Sequence, residues 1–204
     1  MKLYRAFATV GGMTMASRIL GFLRDILIAA LLGTGPVAEA FVAAFRFPNL
    51  FRRIFGEGAF NAAFVPLFAK ELEGDGPGPA RKFAEEALAV LLMALLVLTA
   101  IAELAMPWLM LVIAPGFIEN PEKFDLAVLL TRIAFPYLLC MSLVALLSGV
   151  LNALNRFAAA AAPILLNIVL IVAMLLAWAF GLQKSPNAGL MLAWGVAIAG
   201  ALQL

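Results

Sequence analysis

Three ionic side chains, Arg18, Arg24 and Asp25, interrupt the first apolar stretch of this 204-residue chain. The second stretch adds Glu39, Arg46, Arg52, Arg53 and Glu57. Arginine stays charged in a dry site and grips phosphate oxygens through a planar fork of N–H groups. Such a cluster suits a bulky phosphate-bearing anion. Other chemistries have less to work with. The chain has no histidine and one cysteine, Cys140. That argues against zinc, haem and iron–sulfur sites. It also excludes Ser-His-Asp or Cys-His catalysis within this chain. Cys140 lies in an apolar run and reads as a small buried hydrophobe. The net charge is only +2, so nothing in the balance points to a nucleic-acid partner.

These charges sit on elements that water alone would not fold. The chain is 65% hydrophobic, with a mean hydropathy of +1.07, whereas soluble domains are about half apolar. The excess falls in blocks long enough to cross a hydrocarbon core, which takes about 20 residues per helix. The expected fold is an all-α membrane protein with six spans, over residues 7–32, 37–68, 87–114, 126–151, 158–182 and 188–204. Pro48 and Gly56-Glu57-Gly58 are expected to break the second span. The Gly- and Pro-rich run from Lys70 to Lys82 reads as the most polar loop. Arg18, Arg24 and Asp25 also rule against a cleaved signal peptide, so the first span reads as a retained helix. The last span stops at Leu204 without a polar flank, and the expectation is a chain truncated within its sixth helix.

Lys and Arg in the loops set orientation. Lys2, Arg5, Lys70, Arg81, Lys82 and Arg156 fall on one side, and Lys123 and Lys184 on the other. Six against two predicts a cytoplasmic N-terminus. A central Arg or Asp costs roughly 2.5–3.5 kcal/mol on insertion scales. Three in one helix would cost on the order of 8–10 kcal/mol before pairing and snorkelling reduce it. The charges of the first span must therefore face protein or a water-filled cavity. On an ideal helix Arg18 and Asp25 share a face, and Arg24 lies about 120° away from Arg18. Arg53 and Glu57, four apart, pair if that stretch is helical. Arg18, Arg24 and Arg52 read as substrate groups. Arg46, Arg53 and Asp25 fit structural ion pairing equally well. Arg132 and Arg156 read as interface anchors, and Gly195 and Gly200 as helix-packing positions.

The motifs then resemble a known family. The stretch from Ser17 to Asp25 (SRILGFLRD), that from Ala44 to Phe60 (AFRFPNLFRRIFGEGAF) and Ala63 to Phe68 (AFVPLF) are similar to the MurJ (MviN) lipid II flippases. Ala114-Pro-Gly-Phe117, Phe135-Pro-Tyr137, the stretch from Leu151 to Phe157 (LNALNRF) and the stretch from Pro163 to Ile168 (PILLNI) follow in order. The resemblance runs over all 204 residues. It implies membership of the multidrug/oligosaccharidyl-lipid/polysaccharide exporter superfamily, whose members of this kind have two six-helix lobes around a central cavity. Residues 1–204 would be the N-terminal lobe of such a two-lobe transporter. The family's cavity arginines fall on Arg18, Arg24 and Arg52, and its important acidic residue falls on Glu39, where the family usually has Asp. Asp25, Glu39, Arg53 and Glu57 become candidates for gating or support. The family's extra proline after Arg156-Phe157 is replaced here by the run Ala158 to Ala162.

The implied activity is alternating-access transport of lipid II, the undecaprenyl-pyrophosphate-linked peptidoglycan precursor, from the cytoplasmic to the periplasmic leaflet of a bacterial inner membrane. The chain would not be an enzyme. Its partners would be lipid II, membrane lipids and the C-terminal lobe. No cofactor is expected in this chain. No P-loop is present, so sodium or the membrane potential, acting through the C-terminal lobe, would drive the cycle. Two other functions compete. A cation-coupled exporter of drugs or of other lipid-linked oligosaccharides belongs to the same superfamily, but a cationic-drug site would be lined by acids and aromatics. A non-transporting scaffold for cell-wall assembly would tolerate arginine substitution.

Overall fold

The computed structural model describes residues 2–51, 59–154 and 162–204. All regular secondary structure among them is helical. The α-helices are α1 (Lys2–Leu32), α2 (Pro36–Phe51), α3 (Ala59–Gly74), α4 (Pro77–Ile113), α5 (Pro121–Ala134), α6 (Tyr137–Ala153), α7 (Ala162–Ala179) and α8 (Pro186–Gln203). A 3-10 turn, Pro115–Glu119, joins α4 to α5.

Proline starts helices here more often than it stops them. Pro36, Pro77, Pro121 and Pro186 each open one. The first-turn N–H that proline lacks has no intrahelical partner in any case, and its fixed φ suits the helix. This explains two departures from expectation. The polar run 70–82 is no long loop: α3 extends to Gly74, Gly76 turns the chain at φ +89°, and α4 begins at Pro77. Lys70, Glu71 and Glu73 thus lie on α3, and Arg81 and Lys82 on α4. Pro48 also lies within α2, which continues to Phe51. The expected breaks at Gly56-Glu57-Gly58 fall outside the described residues. Residues 121–151 form two arms, α5 and α6, that meet at Phe135-Pro136. Asn120 caps α5 by accepting the Lys123 N–H at 3.1 Å, and Ser185 caps α8 by accepting the Ala188 N–H at 3.4 Å.

At about 1.5 Å per residue, α4 is roughly 55 Å long, well beyond a hydrocarbon core of about 30 Å. Its charged first turns carry exposed i,i+4 pairs, Arg81 with Glu85 and Lys82 with Glu86. Only 17% of its most apolar stretch is buried in the protein. Leu104 and Val112 are 77% and 81% exposed. An apolar surface of this kind calls for lipid or further protein around it.

Among the described elements, α7 packs mainly on α8 and α1, while α2 packs on α5. The core joins Leu31 and Leu32 of α1 to Ala40, Phe41 and Ala44 of α2, to α5 through Leu130, and to α7 and α8 through Leu170, Met174 and Val196. A smaller cluster, with Phe64 and Phe68, seats α3 against α4 and α6. In lipid, helices associate through close packing of small residues rather than through water exclusion. On α8, a Cβ at Gly189 would lie 3.2 Å from Val37 of α2 and 3.3 Å from Leu130 of α5. One at Gly195 would lie 3.2 Å from Leu170 of α7, and one at Gly200 would lie 3.0 Å from the Tyr137 ring and 3.1 Å from Cys140 of α6. The packing role read for Gly195 and Gly200 is what the structure contains. Gly200→Val should lower the unfolding temperature of the detergent-solubilised protein, at an overpacking cost of roughly 1–3 kcal/mol. An unchanged midpoint would show that α6 and α8 can separate freely at this point.

Candidate functional site

α1 touches α2 only lightly and packs mainly on α7. The space left between α1 and α2 is a groove of about 1160 Å³. One wall is α1, with Ser17, Arg18, Gly21, Arg24 and Asp25. The opposite wall is α2, where Phe41 and Phe45 stack with ring centroids 5.9 Å apart and Arg46 also lines the space. Tyr137 and Met141 of α6 and Leu166, Asn167 and Leu170 of α7 complete the lining.

Arg18, Arg24 and Asp25 all line this groove although they do not share one helical face. The groove is wide, and little besides α7 covers α1, so long side chains from adjoining faces reach the same space. Arg18 is exposed. The Arg24 side chain is 19% exposed and held at each of its three nitrogens: its Nε–H and one Nη2–H donate to Asp25 Oδ1 at 2.9 and 2.7 Å, and one Nη1–H donates to Asn167 Oδ1 at 3.0 Å. Asn167 in turn donates from Nδ2 to the Ser17 carbonyl at 3.0 Å. Three arginines, Arg18, Arg24 and Arg46, against the single carboxylate of Asp25 leave the described charges of the groove with a positive excess. The arrangement can attract an anion, and its phenylalanine wall can take apolar chain or sugar faces.

Glu39 lies elsewhere. It lines an adjoining groove of about 480 Å³ with Thr34, Phe117 and Arg46, and Arg46 borders both spaces. Its Oε2 accepts from Lys123 Nζ at 2.8 Å, and that ammonium also lies 4.2 Å from the centre of the Phe117 ring. The pair fastens the first turn of α2 to the first turn of α5. A carboxylate in the first turn of α2 also complements the helix dipole. Arg52, Arg53 and Glu57, together with Arg156, lie outside the described residues.

Arg132, read from sequence as an interface anchor, is half-exposed and also reaches Glu103 across the contact of α4 with α5. Its Nε–H donates to the Glu103 carbonyl at 3.3 Å, and Nε lies 4.0 Å from the carboxylate. Packing of α4 on α5 brings the two together, and neither lines the arginine groove. Lys123 is the contributor that sequence patterns did not single out. A lone amide in a strongly apolar span was the available signal for Asn167; Lys123 looked like any loop lysine.

The family model described as "Lipid II flippase MurJ" matches residues 28–204. The chain belongs to the MurJ family. A "Probable lipid II flippase MurJ" of Rhizobium tropici is 57% identical over 206 residues, covering all of this chain and 38% of that protein. A "Lipid II flippase MurJ" of Burkholderia cenocepacia is 40% identical, covering all of this chain and 39% of that protein. The solved structure of "Lipid II flippase MurJ, inward closed conformation" superposes with a TM-score of 0.76 at 26% identity, over 95% of this chain and 40% of that one. The chain thus spans about two-fifths of the length of its MurJ relatives. The groove residues Ser17 to Asp25 precede the family-model match but fall within the match to the Rhizobium relative. Membership accords with the exposed apolar helices: this is a membrane protein.

The Glu39–Lys123 pair makes a separable prediction. Glu39→Gln and Lys123→Met should each lower thermal stability, and the double variant should cost less than the sum, with a coupling of about 1 kcal/mol. Strict additivity would mean that the two side chains do not interact.

Proposed function

We propose that this chain is the N-terminal lobe of a lipid II flippase. The observation that carries the reading is the groove in which Arg18 and Arg24 of α1 face an α2 wall that bears Phe41, Phe45 and Arg46, in a chain of the MurJ family. The positive excess suits a pyrophosphate, and arginine holds its charge in a site that excludes water. Arg52, matched to the family's cavity arginines, joins Arg18 and Arg24 in binding. The undecaprenyl tail stays in or beside the bilayer while the headgroup enters the groove.

In this reading the membrane is the bacterial inner membrane and the N-terminus is cytoplasmic. The distribution of loop Lys and Arg supports that orientation. A second lobe, supplied by the remainder of the full-length protein, forms the opposing wall. The lobes rock to open the cavity first to the cytoplasm and then to the periplasm, and a sodium gradient or the membrane potential acting through that second lobe drives the cycle. Asp25 balances Arg24 between states, and Arg53 and Glu57 support the neighbouring segment.

Arg18→Ala, Arg24→Ala and Arg52→Ala in the full-length protein should each abolish growth of a flippase-depleted cell while the variant still accumulates in the membrane. Normal growth with all three single variants would contradict the arginine site. Export of cationic dyes by the wild type would favour a drug exporter instead.

A further inference from the structure

We propose that Asn167 is a positioning residue for Arg24: it sets which guanidinium protons face the anion in the groove. The inference rests on the reading of Arg24 as a substrate group. A guanidinium has five N–H donors in a fixed plane. Asp25 takes the edge formed by Nε and Nη2, and Asn167 takes one proton of Nη1. One N–H remains on each terminal nitrogen. Those two are what Arg24 offers to an oxyanion, and their direction follows from where the other three are held.

Asn167 is suited to fix that direction. It is 4% exposed, at the seam between α1 and α7. Its Nδ2 donates to the Ser17 carbonyl at 3.0 Å, so its Oδ1 must turn toward Arg24. A flipped amide would set oxygen against carbonyl oxygen and an N–H donor against a cation. Helical side chains lean toward the N-terminus of their helix, so the Arg24 arm runs back toward Ser17. Gly21 lies beside the Asn167 amide, which a Cβ there would meet at an ordinary contact distance of 3.8 Å. Asp25 alone cannot fix the arm, because it shares α1 with Arg24 and is 65% exposed. Asn167 ties the guanidinium to a second helix.

An amide that only glued α1 to α7 would stabilise the fold without acting through Arg24. A double-mutant cycle on ligand affinity separates the two roles. The full-length protein in nanodiscs would be titrated with undecaprenyl pyrophosphate, as wild type, Asn167→Leu, Arg24→Ala and the double variant. Asn167→Leu should weaken binding about tenfold, the scale of a lost hydrogen bond to a charged group. In the Arg24→Ala background the same change should have no further effect. Asn167→Ala removes the amide without adding bulk and runs the same cycle if the leucine variant does not insert. Equal losses in both backgrounds would overturn the proposal in favour of a purely structural amide. Wild-type affinity for both Asn167 variants, with binding lost in Arg24→Ala, would overturn the proposal and leave the arginine site standing. Wild-type affinity for Arg24→Ala would overturn both.

Discussion

A membrane helix that carries Arg18, Arg24 and Asp25 can persist only if those groups stay out of hydrocarbon, and much of the fold answers that requirement. α1 does not nestle among its neighbours as an apolar span would. It is anchored along α7 and stands away from α2, which leaves the open groove its charges need. The most buried of the three, Arg24, is neutralised by the adjacent Asp25 and bonded to Asn167. The end of α1 is also fixed: Gly33 turns the chain at φ +69°, and the Lys184 N–H donates to the Leu31 carbonyl at 3.0 Å. A charge-bearing helix is thus held along α7, at its end and at one amide, with its charged flank turned to the groove.

The other helices form a frame for that flank. α8 is the central post. Its glycines let α2, α5, α6 and α7 approach closely enough to fix α2 opposite α1. The Glu39–Lys123 pair fastens the first turns of α2 and α5, and so steadies the wall that carries Phe41, Phe45 and Arg46. The long apolar α4, largely exposed in this chain, contributes only Ile113 to the groove.

Much of this was legible in the residues. An arginine in an apolar span has few permitted surroundings, so Arg18 and Arg24 announced a cavity before any coordinates. Small residues on α8 announced close packing for the same kind of reason. What composition could not supply was partnership. Lys123 meets Glu39 across 84 positions of sequence and Asn167 meets Arg24 across 143, and no local pattern encodes which helix faces which. Proline misled in a different way. Pro77 and Pro48 looked like breaks, yet one opens a helix and the other lies within one, because the rule against proline depends on its place in the helix. The approach of the half-exposed Arg132 to Glu103 likewise depends on how α4 is set against α5.

The central claim is that the α1–α2 groove receives the phosphate-bearing headgroup. The most direct measurement is a cryo-electron microscopy map of the full-length protein in nanodiscs loaded with lipid II. The account predicts pyrophosphate density in the groove, within hydrogen-bonding distance of Arg24 and close to Arg18. Headgroup density seated away from α1, with Arg24 still bound only to Asp25 and Asn167, would contradict it.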